Sequence, residues 1–209
     1  MLYNELVDMR KVGSYGIEEL LWIKADTGAF DGPLQDWASH SEKYQKYCDK
    51  FDVVVCAGGN QGMYPLLFSK MFNIVYTFEP DPLNFHCLVN NCQNDRIVKF
   101  NCALGSKNEM GQLKLGATDN TGTHEVYPST EGIVPMMQLD NFDFQKLDLI
   151  QLDIEGYEQE ALLGGREIIN KFKPVISVER SNPSIVSFLA QYGYQEVERS
   201  HADTFFKVL

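Results

Sequence analysis

Positive charge is in short supply in this sequence. Eighteen lysines and arginines stand against 29 acids, for a net charge of −11. Loose attraction to nucleic acid or to an anionic bilayer needs the opposite sign, so neither is expected as a partner. Long apolar runs are missing too. None approaches the roughly 20 residues that a membrane-spanning helix needs. The opening residues, MLYNELVDMRK, carry acids where a secretory leader has basic residues and then an apolar core. The cysteines are Cys48, Cys56, Cys87, Cys92 and Cys102, odd in number and never spaced C-x-x-C. That spacing argues against a zinc site or a disulfide framework and points to reduced thiols in a cytoplasmic protein. Cys56 and Cys102 fall in apolar runs and read as packed residues. The acids and histidines show no ligand-like clustering, so no metal is expected. Internal repeats and low-complexity tracts are absent from the sequence.

Two nucleotide-binding fingerprints are also incomplete. Counted from Gly58, the G-x-G-x-x-G of a dinucleotide fold would need glycine where Asn60 and Met63 stand. The Gly-Lys-Ser/Thr of a phosphate-cradling loop does not occur. What the chain does have is the stretch Phe51 to Pro82, FDVVVCAGGNQGMYPLLFSKMFNIVYTFEPDP. It reads as strand, glycine turn, helix, strand and acid. An acid about 20 residues beyond such a turn is where a Rossmann-type sheet holds a ribose diol. Here that acid is Glu79. Without added cations, the turn Gly58-Gly59-Asn60-Gln61-Gly62 suits a phosphate-free ligand lying close to backbone. S-adenosylmethionine is such a ligand. The competing reading is a strand–helix turn whose glycines serve structure only.

With 209 residues there is enough chain for one domain with a full core. Residues 1–50 read as a helical N-terminal extension, a cap over the sheet edge or a lid over the substrate, and 51–209 as the ligand-binding domain. In the extension, IEELLWI at Ile17–Ile23 has the spacing of a short amphipathic helix. Ala25 to Trp37 is loop chemistry with Phe30 and Trp37 as anchors, and Pro33 suits the start of a helix reaching Tyr47. Strands are expected over Asp52–Ala57, Ile74–Phe78, Arg96–Cys102, Glu109–Leu115, Ile133–Leu139, Leu147–Ile154 and Pro174–Val178. Helices are expected over Met63–Met71, Leu83–Cys92, Glu158–Asn170 and Pro183–Gln191. Residues 116–132 form a long polar loop. Tyr194–Arg199 and Thr204–Val208, joined by Ser200-His201-Ala202-Asp203, are too close for a helical crossover and must pair antiparallel. This alternation demands an α/β fold with a doubly wound, mostly parallel, Rossmann-like sheet ending in an antiparallel hairpin.

A second motif, DLIQLDIEGYE at Asp148–Glu158 followed by Leu163-Gly164-Gly165, makes the pattern specific. Together with VVVCAGGNQG, FEPDP, NCAL and the Leu139-Asp140 pair, it resembles the FkbM family of S-adenosylmethionine-dependent methyltransferases. The resemblance runs from about Asp52 to Arg180. It implies a seven-stranded class I methyltransferase sheet with S-adenosylmethionine as cofactor. By the same resemblance, Gly58, Asn60 and Gly62 line the methionine tail. Glu79 binds the ribose with Asp81 nearby, and Asn101 and Ala103 lie beside the adenine. Asp153 and Glu155 face the sulfonium and the acceptor. Two positions depart from the family pattern: Cys56 stands where an acid usually precedes the glycine turn, and Gln151 stands where a lysine usually precedes the aspartate of D-x-E-G.

Methyl transfer from a sulfonium is an in-line displacement, so alignment of the acceptor is the main task and removal of its proton helps. Asp153 and Glu155 are the candidates to orient a sugar or other small-molecule hydroxyl acceptor. Capping of the following helix competes as an explanation, chiefly for Glu158. His124 in the polar loop is the histidine nominated as base, against a solvated loop histidine. His40, His86 and His201 have no comparable sequence context, and Tyr64 reads as core. A peptide or nucleobase methyltransferase, or a cofactor-binding module without catalysis, are the alternatives.

Overall fold

The structure is a computed structural model and describes residues 3–28, 30–200 and 202–209. His201 therefore lies outside the described residues, as does Ala29 in the segment 25–37. The chain opens with a hairpin of β1 (Val7–Ser14) and β2 (Ile17–Ile23), then α1 (Asp31–Tyr47). β3 (Val53–Ala57), α2 (Met63–Phe68), β4 (Ile74–Phe78), α3 (Pro82–Asn91) and β5 (Ile97–Phe100) follow. Next come β6 (Ala103–Leu104), β7 (Glu109–Lys114), β8 (Glu125–Pro128) and β9 (Val134–Met137). The last part is β10 (Leu149–Leu152), α4 (Glu158–Leu163), α5 (Arg166–Phe172), β11 (Val175–Glu179), α6 (Pro183–Ala190), β12 (Tyr194–Ser200) and β13 (Asp203–Val208).

The main sheet is seven-stranded and mixed, in the order β12-β13-β11-β10-β3-β4-β5. β11, β10, β3, β4 and β5 pair in parallel, while β13 runs antiparallel to both β11 and β12. Every residue of β3 is buried, as its unbroken apolar run requires. Val53, Val55 and Ala57 face one core, which α4, α5 and α6 fill through Leu162, Ile169 and Leu189. Val54 and Cys56 face the other, filled by Trp37, Tyr44, Phe68 and Leu88 from α1, α2 and α3. Trp37 meets Phe68 edge-on at 5.2 Å, and Phe30 meets Trp22 edge-on at 5.0 Å, so both expected anchors are packed. All five cysteines are free and buried.

Ile17–Ile23 is a strand and not the expected helix. Its buried positions 17, 20, 22 and 23 mimic helical spacing in part. The turn decides the outcome: Tyr15 and Gly16 both have positive φ, the conformation of a two-residue hairpin loop. The polar loop at 116–132 also holds more structure than its composition suggests. It contains a 3-10 turn, Thr121–Thr123, and strand β8, which completes a second sheet of order β6-β9-β7-β8. The helix expected over Glu158–Asn170 is two helices broken at Gly164-Gly165. A side chain on Gly164 would collide with the Gly105 carbonyl, and Asp140 accepts from the Glu167 and Ile168 amides to start α5. α2 ends at Phe68, short of Met71.

Candidate active site

The site lies at the carboxyl ends of the parallel strands, where open α/β sheets bind ligands. It is a cavity of about 420 Å³ walled by the glycine turn after β3, by β4 and β10 ends, and by the N-terminal segment. Gly58 has φ +86°, and a Cβ there would strike the carbonyl oxygen of Asp153. Its amide and that of Gly59 donate to the Phe78 carbonyl at 3.1 and 2.9 Å, which ties the turn to the end of β4. Gly62 does not line the cavity. It has φ +98° and begins α2, where a side chain would press on Cys92.

Glu79 is buried, and its two carboxylate oxygens accept from different backbone amides. Asn60 donates at 2.7 Å and Asp81 at 2.8 Å. Burial outweighs these donors and pushes the Glu79 carboxyl up to about 8. Beside it, the Oδ1 atoms of Asn60 and Asn84 are buried without a hydrogen-bond partner, and both residues line the cavity. A glycine turn closed to any Cβ, an acid held by amides, and orphaned acceptors fit an adenosyl ligand with an ammonium group.

The other expected cofactor residues sit in different relations to the cavity. Asp81 caps α3, accepting from the Leu83 amide at 2.7 Å and the Asn84 amide at 3.1 Å. Its second oxygen lies 2.7 Å from His124 Nδ1. His124 thus lines the cavity as a partnered, half-buried residue, not a solvated one. Asn101 is exposed and does not line the cavity. It donates to the Glu79 carbonyl at 2.8 Å and so braces the strand end. Ala103 is buried and lines the cavity.

On the far side of the turn, Asp153, Glu155 and Glu179 bring carboxylate oxygens within 4.8 Å of one another. The clustering that the sequence lacks is made by the fold. Arg180 answers it, bonding Glu155 at 2.9 Å and Glu179 at 3.3 Å. Asp153 reaches solvent through the cavity, yet protein surrounds it closely enough that desolvation dominates. Burial first, then the Glu179 charge, holds its carboxyl well above the ordinary range. Glu155 is raised as well, by burial, with Arg180 opposing. Glu155 has φ +52° and Gly156 φ +94°, so this loop is tightly bent. Glu158 turns back to accept from the Ile154 and Gly156 amides, the helix-start role assigned to it.

Sequence reasoning missed two groups. Asp26 Oδ2 accepts from Gln61 Nε2 at 2.8 Å and from Thr121 Oγ1 at 2.6 Å, joining the N-terminal segment, the glycine turn and the 3-10 turn. His40, which lacked sequence context, lies between Tyr64 and Asp203 and lines the cavity with both. Tyr64 is therefore a cavity residue as well as a core one. Nothing local marks these partners, because each comes from a different element.

A family model described as the methyltransferase FkbM domain matches residues 57–196, more than half of the sequence. The chain belongs to the FkbM methyltransferase family. Among solved structures, an FkbM methyltransferase from Methylobacillus flagellatus KT superimposes with TM-score 0.56 at 21% identity, over 76% of this chain and 44% of that one. A ribosomal protein L11 methylase from Lactobacillus delbrueckii subsp. bulgaricus gives TM-score 0.52 at 11% identity, over 82% and 76%. Among curated proteins, a polyribonucleotide nucleotidyltransferase from Caldicellulosiruptor saccharolyticus is 26% identical over 125 residues, 56% of this chain and 17% of that protein. The chain thus spans less than half of the FkbM structure and a sixth or so of the nucleotidyltransferase. The FkbM match begins at Ala57, just before the glycine turn, and so includes Glu79, Asp153 and Glu179 but not His40.

Proposed function

We propose that this FkbM-family chain is an S-adenosylmethionine-dependent O-methyltransferase with a Rossmann-like class I sheet, acting on a hydroxyl of a sugar or similar small molecule. Glu79 carries the reading. Fixed by two amides and facing a turn that excludes Cβ atoms, it is suited to accept hydrogen bonds from a ribose diol. Asn60 and Asn84 offer oxygens to the methionine ammonium, and Ala103 leaves a flat, apolar place for the adenine. When bound, S-adenosylmethionine supplies an electrophilic methyl group.

The chain's own residues orient the acceptor and receive its proton. Asp153 and Glu155 accept hydrogen bonds from acceptor hydroxyls, and the carboxylates beside them disfavour an anionic acceptor. His124 stands on the cofactor side, held by Asp81, and is better suited to bracing than to proton removal. Residues 1–50 serve as a wall of the acceptor site, a role supported by Trp22, Pro33 and His40 at the cavity.

Calorimetry with S-adenosylmethionine and S-adenosylhomocysteine tests cofactor binding. Both should bind, and Glu79→Ala should weaken them at least tenfold, about 1.4 kcal/mol. A labelled-methyl screen over glycans, phenols, peptides and nucleic acids then tests the acceptor. Label confined to peptide or nucleic acid would refute the hydroxyl assignment. Heat from neither ligand would refute the cofactor.

A further inference from the structure

Three residues far apart in sequence form a hydrogen-bonded chain at the wall of this cavity. Asp203 Oδ2, at the start of β13, lies 3.1 Å from His40 Nε2 on α1. His40 Nδ1 lies 2.8 Å from the Tyr64 hydroxyl on α2. All three line the cavity that Asp153 lines. The His40 side chain is only 8% exposed, and both of its ring nitrogens are engaged. We propose that Tyr64, backed by His40 and Asp203, is the group that takes the acceptor's proton.

Direction follows from donor and acceptor chemistry. An ionised carboxylate only accepts, so Asp203 fixes the hydrogen of neutral His40 on Nε2. Nδ1 is then bare and accepts, and the Tyr64 hydroxyl must donate to it. Tyr64 is left presenting oxygen lone pairs, not a hydrogen, to the cavity. A hydroxyl in the cavity can donate to that oxygen. Packing alone does not require this arrangement. The Tyr64 ring stands edge-on to Trp37 at 5.5 Å and to Phe68 at 5.9 Å, contacts a phenylalanine would also make.

Tyr64 does not act as a resting phenolate. Burial, then the charges of Asp203, Asp153 and Asp36, keep its phenol protonated. It can take a proton only as it gives one up. The step therefore balances as a relay. The bond from acceptor oxygen to methyl carbon forms while the carbon–sulfur bond breaks, its electron pair returning to sulfur. The acceptor's proton passes to Tyr64 oxygen, and Tyr64's own proton passes to His40 Nδ1. The resulting imidazolium is paired with Asp203 and later returns its proton to water. Ionisable groups around His40 are Asp36, Lys43 and Tyr44 on its own helix, Tyr64 on α2, and Asp203 with its register neighbour Glu179.

This inference rests on the methyltransferase reading, and its test is separable from it. The full chain carries four histidines, so nitrogen-15 NMR of labelled imidazoles is tractable, with His40→Gln assigning the His40 signals. In the presence of S-adenosylhomocysteine, neutral His40 should show a protonated Nε2 and a bare Nδ1. Tyr64→Phe should shift the Nδ1 signal, and Asp203→Asn should shift the tautomer balance toward Nδ1–H. A neutral His40 protonated on Nδ1, or an Nδ1 signal indifferent to Tyr64→Phe, overturns the relay even if S-adenosylhomocysteine binds. Absence of S-adenosylhomocysteine binding overturns the cofactor reading itself. On a hydroxyl acceptor found in the screen, Tyr64→Phe should lower kcat at least tenfold with KM for S-adenosylmethionine unchanged. It should also abolish the acid limb of the pH–rate profile, and an intact limb at full rate overturns the proposal.

Discussion

At the scale of single residues, Glu79 sets the sharpest expectation. Its carboxyl ionises near 4.5 in an unfolded chain and is pushed up to about 8 when buried. Between those values the native state holds the proton that the unfolded state has lost. Stability of the ligand-free protein should therefore fall as pH rises from about 4.5 to about 8, which urea unfolding at several pH values would measure. A ribose diol donates to the ionised form. Binding of S-adenosylhomocysteine should then release a proton near neutral pH, seen as a buffer-dependent heat, and Glu79→Gln should remove that dependence. Glu79 was readable from sequence because its distance from the glycine turn is a property of one strand–helix–strand unit. His40 was not, since its partners lie 24 residues away on the next helix and at the far end of the chain.

Among elements, the β1–β2 hairpin shows where periodicity misleads. Ile17, Leu20 and Leu21 share a helical face on paper, but the left-handed Tyr15-Gly16 pair commits the chain to reverse on itself. Two glycines three residues apart, Gly13 and Gly16, both with positive φ, were the available signal, whereas Tyr15 is a residue type that rarely adopts αL. Asn91 at the end of α3 docks this hairpin. Its side chain donates to the Leu21 carbonyl at 2.8 Å and the Gln61 carbonyl at 2.7 Å, and accepts from the Leu21 amide at 2.7 Å. Asn91→Ala should cost about 1–3 kcal/mol of stability by chemical denaturation, because partly buried backbone groups lose their partner. In the central sheet β3 was legible as an unbroken apolar run, and β4, β10 and β11 as mostly apolar ones. β8 was not, being four residues long and mostly exposed.

For the molecule as a whole, the question is whether residues 1–50 stand apart. Both tryptophans, Trp22 and Trp37, belong to that segment, and both are buried in the core that covers one face of the sheet. Unfolding followed by tryptophan fluorescence should therefore coincide with unfolding followed by far-ultraviolet circular dichroism. An earlier fluorescence transition would make the segment a separately melting cap. Architecture was readable at this scale because strand and helix alternate in chain order. The cavity was only half readable: the glycine turn and D-x-E-G were visible, whereas the wall supplied by α1 and β13 depends on tertiary closure. One contact joins those halves. Where Gly58 lies against the Asp153 carbonyl, no side chain fits between the glycine turn and the D-x-E-G loop. The two loops therefore meet backbone to backbone inside one cavity, so neither can be reshaped alone, and the extra methyl of Gly58→Ala would pry both from their places at once.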